Sequence, residues 1–203
     1  MSVLIIDYGM GNLASVRRAL EECGATAFVS AHPDDINKAS KIILPGVGSF
    51  AAAMENIHRT GWFGALQDVA KRNIPLLGIC LGMQLLADEG EEHGTTKGLG
   101  LIAGRVQRFA LPSELRIPHV GWNEIKNKKP DPLLAGVDDG TDFYFVHSFH
   151  FKTANDADIV ATTPYGDDFT SIVSRGSVWG AQFHPEKSGL AGFQIIRNFL
   201  AIS

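Results

Sequence analysis

Ile74-Pro75-Leu76-Leu77-Gly78-Ile79-Cys80-Leu81-Gly82-Met83-Gln84 is the stretch on which the fold turns. Its first part, residues 74–79, is the short apolar run of a strand buried on both faces, and a helical pattern follows at once over residues 81–88. Between them Gly78-Ile79-Cys80-Leu81-Gly82 has the G-x-C-x-G spacing of a nucleophile elbow, with cysteine at its centre. So sharp a turn strains the backbone of the central residue, and small flanking residues are needed because a Cβ there would clash. Cys80 is thereby presented at the C-terminal end of the sheet, where open α/β folds bind ligands. The start of the following helix favours a thiolate over a thiol, and the Leu81 amide points toward charge developing on a carbonyl attacked by Cys80. Cys23, on the apolar side of a helix with no polar motif beside it, reads as packing.

Working outward, residues 3–6, 27–30 and 41–44 are short apolar runs. A helix capped by Asn12 runs to Cys23, with Leu13, Val16 and Leu20 at three- and four-residue steps, and a second helix covers residues 51–58. This alternation predicts βαβ units and a parallel sheet covered on both faces. After Gly90 the pattern becomes β-rich, with strands expected at 101–109, 123–126, 142–149, 158–163, 171–175 and 178–183, and a closing helix at 191–200. The expectation is one α/β domain over residues 1–203, a three-layer sandwich on a mixed, mostly parallel sheet.

Composition narrows the class. Hydrophobic residues at 45% and charged residues at 20% exclude a disordered or fibrous chain. A net charge of −4 argues against a nucleic-acid module, which carries a basic face. The longest apolar candidate, residues 74–87, is interrupted by Pro75, Gly78, Gly82 and Gln84, so no membrane span is expected. The opening MSVLIIDYG lacks a cationic leader, and the two cysteines form neither a CxxC pair nor a framework. A cytoplasmic, reduced enzyme or enzyme subunit is expected.

A catalytic thiol needs a base, and the base needs an orienting acceptor. Gln182-Phe183-His184-Pro185-Glu186 follows the strand containing residues 178–181. In extended chain His184 and Glu186 face the same side, and Pro185 between them discourages helix. Cys80, His184 and Glu186 thus form a nucleophile, base and orienter. Pro45-Gly46-Val47-Gly48-Ser49-Phe50 ends another strand, and its exposed amides can complete an oxyanion hole. Other patterns carry less. Gly9-x-Gly11-x-x-Ala14 matches a dinucleotide fingerprint without the acidic residue that should end the next strand. His147-x-x-His150, read on one strand, faces opposite sides, so no metal site is expected. The acidic run 88–92 reads as a solvated helix end.

Gly-Ile-Cys-Leu-Gly-Met-Gln, Pro-Gly-Val-Gly and Phe-His-Pro-Glu-Lys together resemble the class I (triad) glutamine amidotransferases, and the resemblance spans essentially the whole chain. It implies a flavodoxin-like three-layer fold. It narrows to the glutaminase subunits of imidazole glycerol phosphate synthases. The narrowing rests on Asp7-Tyr8-Gly9-Met10-Gly11-Asn12, PGVGSF in place of PGG, Pro118-His119-Val120-Gly121-Trp122-Asn123, Tyr144-Phe145-Val146-His147-Ser148 and Lys187-Ser188. The resemblance implies that Cys80 attacks the side-chain amide of glutamine, His184 moves the proton to the departing ammonia, and Glu186 holds His184. Amides of Leu81 and of a reorienting Val47 would stabilise the oxyanion. Gly48, Gln84 and the backbone of His147, Ser148 and Phe149 would hold the amino-acid end of the substrate. Phe149 departs from the pattern, since Tyr is expected there. No cofactor or metal is implied. The implied partner is a (β/α)8-barrel cyclase, forming a heterodimer, with Asn12, Trp122, Tyr144 and Lys187 at the docking face. Two alternatives stand beside this reading: a paralogue feeding ammonia to another synthase, such as a sugar-aminating enzyme of surface polysaccharide synthesis, and a thiol redox sensor with its cysteine on the elbow.

Overall fold

β1 (Ser2–Ile6) is buried on both faces, and its side chains divide between two cores. Val3 and Ile5 join one apolar cluster with Val16, Leu20, Ile195 and Phe199, while Leu4 and Ile6 join another with Phe50, Ile57, Leu66 and Val69. Alternation of side chains along a strand places those clusters on opposite faces, which makes the three layers. The computed structural model describes residues 2–202.

In chain order the elements after β1 are α1 (Leu13–Glu22), β2 (Thr26–Ser30), β3 (Lys41–Gly46), α2 (Phe50–Arg59), α3 (Trp62–Lys71), β4 (Leu76–Cys80) and the single turn α4 (Leu81–Gln84). The second half holds β5 (Glu89–Gly90), β6 (Thr96–Lys97), β7 (Gly104–Arg108), β8 (His119–Glu124), β9 (Lys126–Asn127), β10 (Asp142–His147), β11 (Phe149–Thr153), β12 (Ile159–Tyr165), β13 (Asp167–Arg175), β14 (Val178–Ala181) and α5 (Gly189–Ala201). The main sheet has the order β2-β1-β3-β4-β14-β13-β12-β9. It is parallel from β2 to β14 and antiparallel beyond, so the expected mixed α/β sheet is present. Two small sheets, β10-β8 and β11-β7-β5-β6, cap it.

Two local expectations are corrected, and one helix forms where none was expected. The helix expected over 81–88 stops at Gln84, because the carbonyls of Leu85, Leu86 and Ala87 accept from the amides of Leu99 through Ile102 instead of continuing a helix. The strand expected over 142–149 breaks at Ser148 into β10 and β11, which lie in different sheets. α3 is a helix that the sequence patterns leave unassigned; it buries Trp62, Leu66 and Val69, and the Trp62 indole donates to the Asp7 carbonyl at 3.2 Å.

Register positions the site. β4 lies between β3 and β14, with Gly46 beside Cys80 and Ala181 beside Ile79. The segments just beyond Gly46 and Ala181 therefore flank Cys80 from its two sides. Close approach of α4 to β3 allows no side chain: a Cβ on Gly82 would stand 1.8 Å from the Leu44 carbonyl oxygen, and one on Gly78 2.5 Å from that of Gly82. Gly82→Ala should accordingly lower stability by roughly 3 kcal/mol or more. Gly64→Ala, at an exposed position of α3 with open space around it, should raise stability by about 0.5–1 kcal/mol. Urea-unfolding midpoints check both.

Candidate active site

Cys80 ends β4 with φ 55° and ψ −112°, a conformation that non-glycine residues rarely adopt and that persists only where the surroundings enforce it. Here the enforcement comes from β4 on one side and the α4–β3 contact on the other. Cys80 opens into a cleft of about 410 Å³, a volume suited to a small metabolite. The cleft is lined by Val47, Gly48, Cys80, Leu81, Gln84, His147, Ser148, Phe149 and His184, so the nucleophile, base, oxyanion and substrate residues expected from sequence converge there. Lys187 also reaches it.

His184 follows β14, and its backbone amide donates to the Tyr144 carbonyl at 2.9 Å. Pro185–Lys187 then forms a single 3-10 turn that folds Glu186 back onto the ring. His184 Nδ1 and Glu186 Oε1 are 2.8 Å apart, with both side chains buried. A carboxylate only accepts, so Nδ1 carries a proton and Nε2 is the ring's working atom. Nε2 is buried and has no hydrogen-bond partner among the described residues. Burial alone would depress the His184 pKa, but Cys80 and Glu186 outweigh it and push the value up to about 9. His184 is therefore cationic at neutral pH, a counter-ion for a thiolate. That role matters more than a helix dipole, since α4 is one turn long and its end carries little charge.

The Leu81 amide opens α4, where no intrahelical acceptor exists for it. Val47 lies exposed in the turn after β3, followed by Gly48 at φ +97°. Gln84 has both N–H groups committed, to the Phe149 carbonyl at 2.9 Å and to Gln182 Oε1 at 3.0 Å. Only its carbonyl oxygen is left to meet a ligand. The Ser148 and Phe149 carbonyls are likewise engaged, by the Phe109 amide and by Gln84 with His147.

Several features escape the sequence reading. Glu92, assigned to a solvated helix end, lines the cleft and accepts from the Phe50 amide at 2.7 Å, so it also caps α2. Pro118 and Val146 complete the wall. His147 and His150 do not sit on opposite faces of one strand; the break at Ser148 brings both rings against Phe109, with centroids 5.1 and 4.8 Å away. Among the described residues no group of three or more His, Cys, Asp or Glu is placed to hold a metal ion. No helix there is long and apolar enough to cross a membrane.

Of the four residues expected at a docking face, three adjoin. Trp122 packs edge-on to Tyr144 at 6.2 Å between centroids, and the Lys187 ammonium lies 6.0 Å from the Tyr144 ring centre. Trp122 and its neighbour Val120 are 58% and 55% exposed, an apolar patch of the kind found at interfaces. Asn12 is exposed and caps α1, accepting from the Ser15 amide at 3.4 Å.

Comparison with known proteins agrees with this geometry. Residues 4–202 match the family model described as glutamine amidotransferase class-I. The chain is 46% identical over 197 residues to imidazole glycerol phosphate synthase subunit HisH of Moorella thermoacetica, covering 97% of this chain and 93% of the relative. It is 46% identical over 200 residues to the subunit of that name from Methanosarcina barkeri, covering 98% and 97%. Among solved structures, a chain of PurLQS from Thermotoga maritima superposes with a TM-score of 0.77 at 21% identity, covering 98% of this chain and 97% of that one. A structure described as a glutamine amidotransferase gives 0.76 at 19%, covering 97% and 96%. The chain belongs to the class I glutamine amidotransferases, enzymes that draw nitrogen from glutamine.

Proposed function

We propose that this chain, as one amidotransferase domain over residues 1–203, is the glutaminase subunit of an imidazole glycerol phosphate synthase. It hydrolyses glutamine in the cytoplasm and passes ammonia to a (β/α)8-barrel cyclase bound as a heterodimer. The observation that carries the reading is the buried His184–Glu186 pair, with Nε2 left without a partner among the described residues, on a residue that lines the same cleft as a cysteine held at φ 55°.

The Cys80 sulfur attacks the side-chain amide carbon of glutamine, and the carbonyl oxygen takes the negative charge against the Leu81 and Val47 amides. Collapse of the tetrahedral adduct breaks the C–N bond while His184 gives its proton to the departing nitrogen, leaving a thioester on Cys80. His184, now neutral, takes a proton from water, the resulting hydroxide attacks the thioester, and glutamate leaves. Glu186 fixes the ring through both steps. Gly48, the Gln84 carbonyl oxygen and the amides around Ser148 hold the amino-acid end, with the Glu92 carboxylate as counter-charge for its ammonium. Phe149 contributes only backbone there, so the hydroxyl expected from the family pattern is not needed.

Ammonia set free in neutral water becomes ammonium, which is not a nucleophile, so the acceptor must be supplied through a sheltered path. The apolar Val120–Trp122 patch, with Tyr144, Lys187 and Asn12, is the face on which the cyclase sits. Relatives at 46–48% identity bear the synthase name, which favours this client over a sugar-aminating one. A sensor cysteine has no use for the His184–Glu186 pair.

The isolated chain should turn over glutamine poorly and accelerate when the histidine-pathway cyclase is added, because the Val47 amide reorients only in the complex. Cys80→Ala should remove glutamine-driven synthesis by at least about 10³-fold, the scale of losing a catalytic nucleophile, while ammonium salts still drive the complex. No stimulation by the cyclase would contradict the assignment.

The raised His184 pKa sets the pH dependence. Below about 9 the ring holds the proton the leaving nitrogen needs, so kcat/KM for glutamine should fall as pH rises through about 9. Protonated His184 also contributes stability below the unfolded value near 6.5, a contribution lost as pH rises through about 9. Glu186→Gln removes one of the groups raising the pKa, and the alkaline limb should move to lower pH. A limb that stays in place in a pH–rate profile would contradict this.

A further inference from the structure

Gln182 is fully buried at the end of β14, a neutral amide in an otherwise apolar run, and the triad chemistry assigns it no task. Register explains where it points. Ala181 stands beside Ile79 in the parallel β14–β4 ladder, so the next residue stands beside Cys80. Gln182 Nε2 is 3.8 Å from the Cys80 sulfur.

The direction of that amide follows from its neighbours. The Phe149 carbonyl can only accept, so the Gln84 group 2.9 Å away is its NH2. The other N–H of that same NH2 reaches Gln182 at 3.0 Å, so the Gln182 atom there is its carbonyl oxygen. The Gln182 NH2 is therefore the end that faces sulfur. His147 supports the same anchor: its Nδ1 donates to the Phe149 carbonyl at 2.8 Å, and its Nε2 accepts from His119 at 3.0 Å.

The Val146 carbonyl lies 3.9 Å from the same sulfur. A thiol can donate to that carbonyl; a thiolate cannot, and the two would repel. The Gln182 N–H gains strength when sulfur becomes anionic, since hydrogen bonds to charged acceptors are the strong ones.

We propose that Gln182 is a positioning residue for the catalytic thiolate: its amide, locked by Gln84 and the Phe149 carbonyl, holds and stabilises the anionic Cys80 sulfur in line with the substrate cleft. This rests on Cys80 being the nucleophile. It also couples the cleft to the nucleophile, because Gln84, whose free oxygen meets the ligand, is the group that orients Gln182.

The test compares wild-type complex with Gln182→Leu and Gln182→Glu, reading glutamine kinetics and the rate of Cys80 alkylation by iodoacetamide against pH. In Gln182→Leu the alkylation profile should move to higher pH, and kcat should fall about 10- to 100-fold with a smaller change in KM, as expected for loss of a hydrogen bond to a charged group. In Gln182→Glu a donor exists only while the carboxyl is protonated. Its alkylation rate relative to wild type should therefore decline as the pH rises, while Gln182→Leu, which installs no charge, reads the loss of the donor itself through its alkylation profile. Thermal melts report folding, and if Gln182→Leu does not fold, the isosteric Gln182→Glu decides. Folded variants with an unmoved alkylation profile and kcat within about 3-fold of wild type, too small for a lost charged hydrogen bond, would overturn the proposal. Failure of the underlying reading shows separately, as glutamine turnover surviving in Cys80→Ala.

Discussion

The approach of the Gly82 backbone to the Leu44 carbonyl is the contact on which the site depends. It lets the chain reverse from β4 into α4 within one residue, and that reversal holds Cys80 at φ 55°. Backbone strain of this kind is kept only where neighbours leave no alternative. The neighbours are the strands themselves: β3 and β14 flank β4, and their ladders fix which residues meet the sulfur. Gly46 leads into the Val47–Gly48 turn on one side, and Ala181 leads into Gln182 and His184 on the other. The proposed catalytic constellation is thus a consequence of sheet register, with residues far apart in sequence delivered to one strand end.

The electrostatics of the cleft divide by burial and partner. His184 is buried yet stays cationic because Cys80 and Glu186 compensate for lost solvation. His147 and His119 are buried without an anionic partner, and desolvation pushes them down to about 3 and about 4. They serve as neutral hydrogen-bonding rings beneath the substrate wall. One residue type thereby performs two tasks, and the neighbouring Cys80 and Glu186 make the difference.

The elbow was legible in the sequence because its chemistry is local: Gly78, Cys80 and Gly82 are constrained by a turn a few residues long. His184 and Glu186 were legible because Pro185 fixes the short segment between them, and β1, β3 and β4 were legible as continuous apolar runs. Less local features were not. The helix after Cys80 is cut short by a loop, residues 98–102, whose amides take its carbonyls. Glu92 reads as solvated until α2 is placed beside it, and the break at Ser148 depends on two sheets competing for one segment. Gln182 left a signal that periodicity does not weigh, a lone amide within a fully buried run. A helix dipole contributes little at Cys80, because α4 is a single turn where the residue pattern predicts a helix over 81–88.

The most direct measurement is acid quenching of the complex with the cyclase during glutamine turnover, followed by peptide mapping by mass spectrometry. A γ-glutamyl thioester confined to Cys80, absent from His184→Ala, is the expected result. Turnover with no acyl group on Cys80, or with the adduct on Cys23, would contradict it.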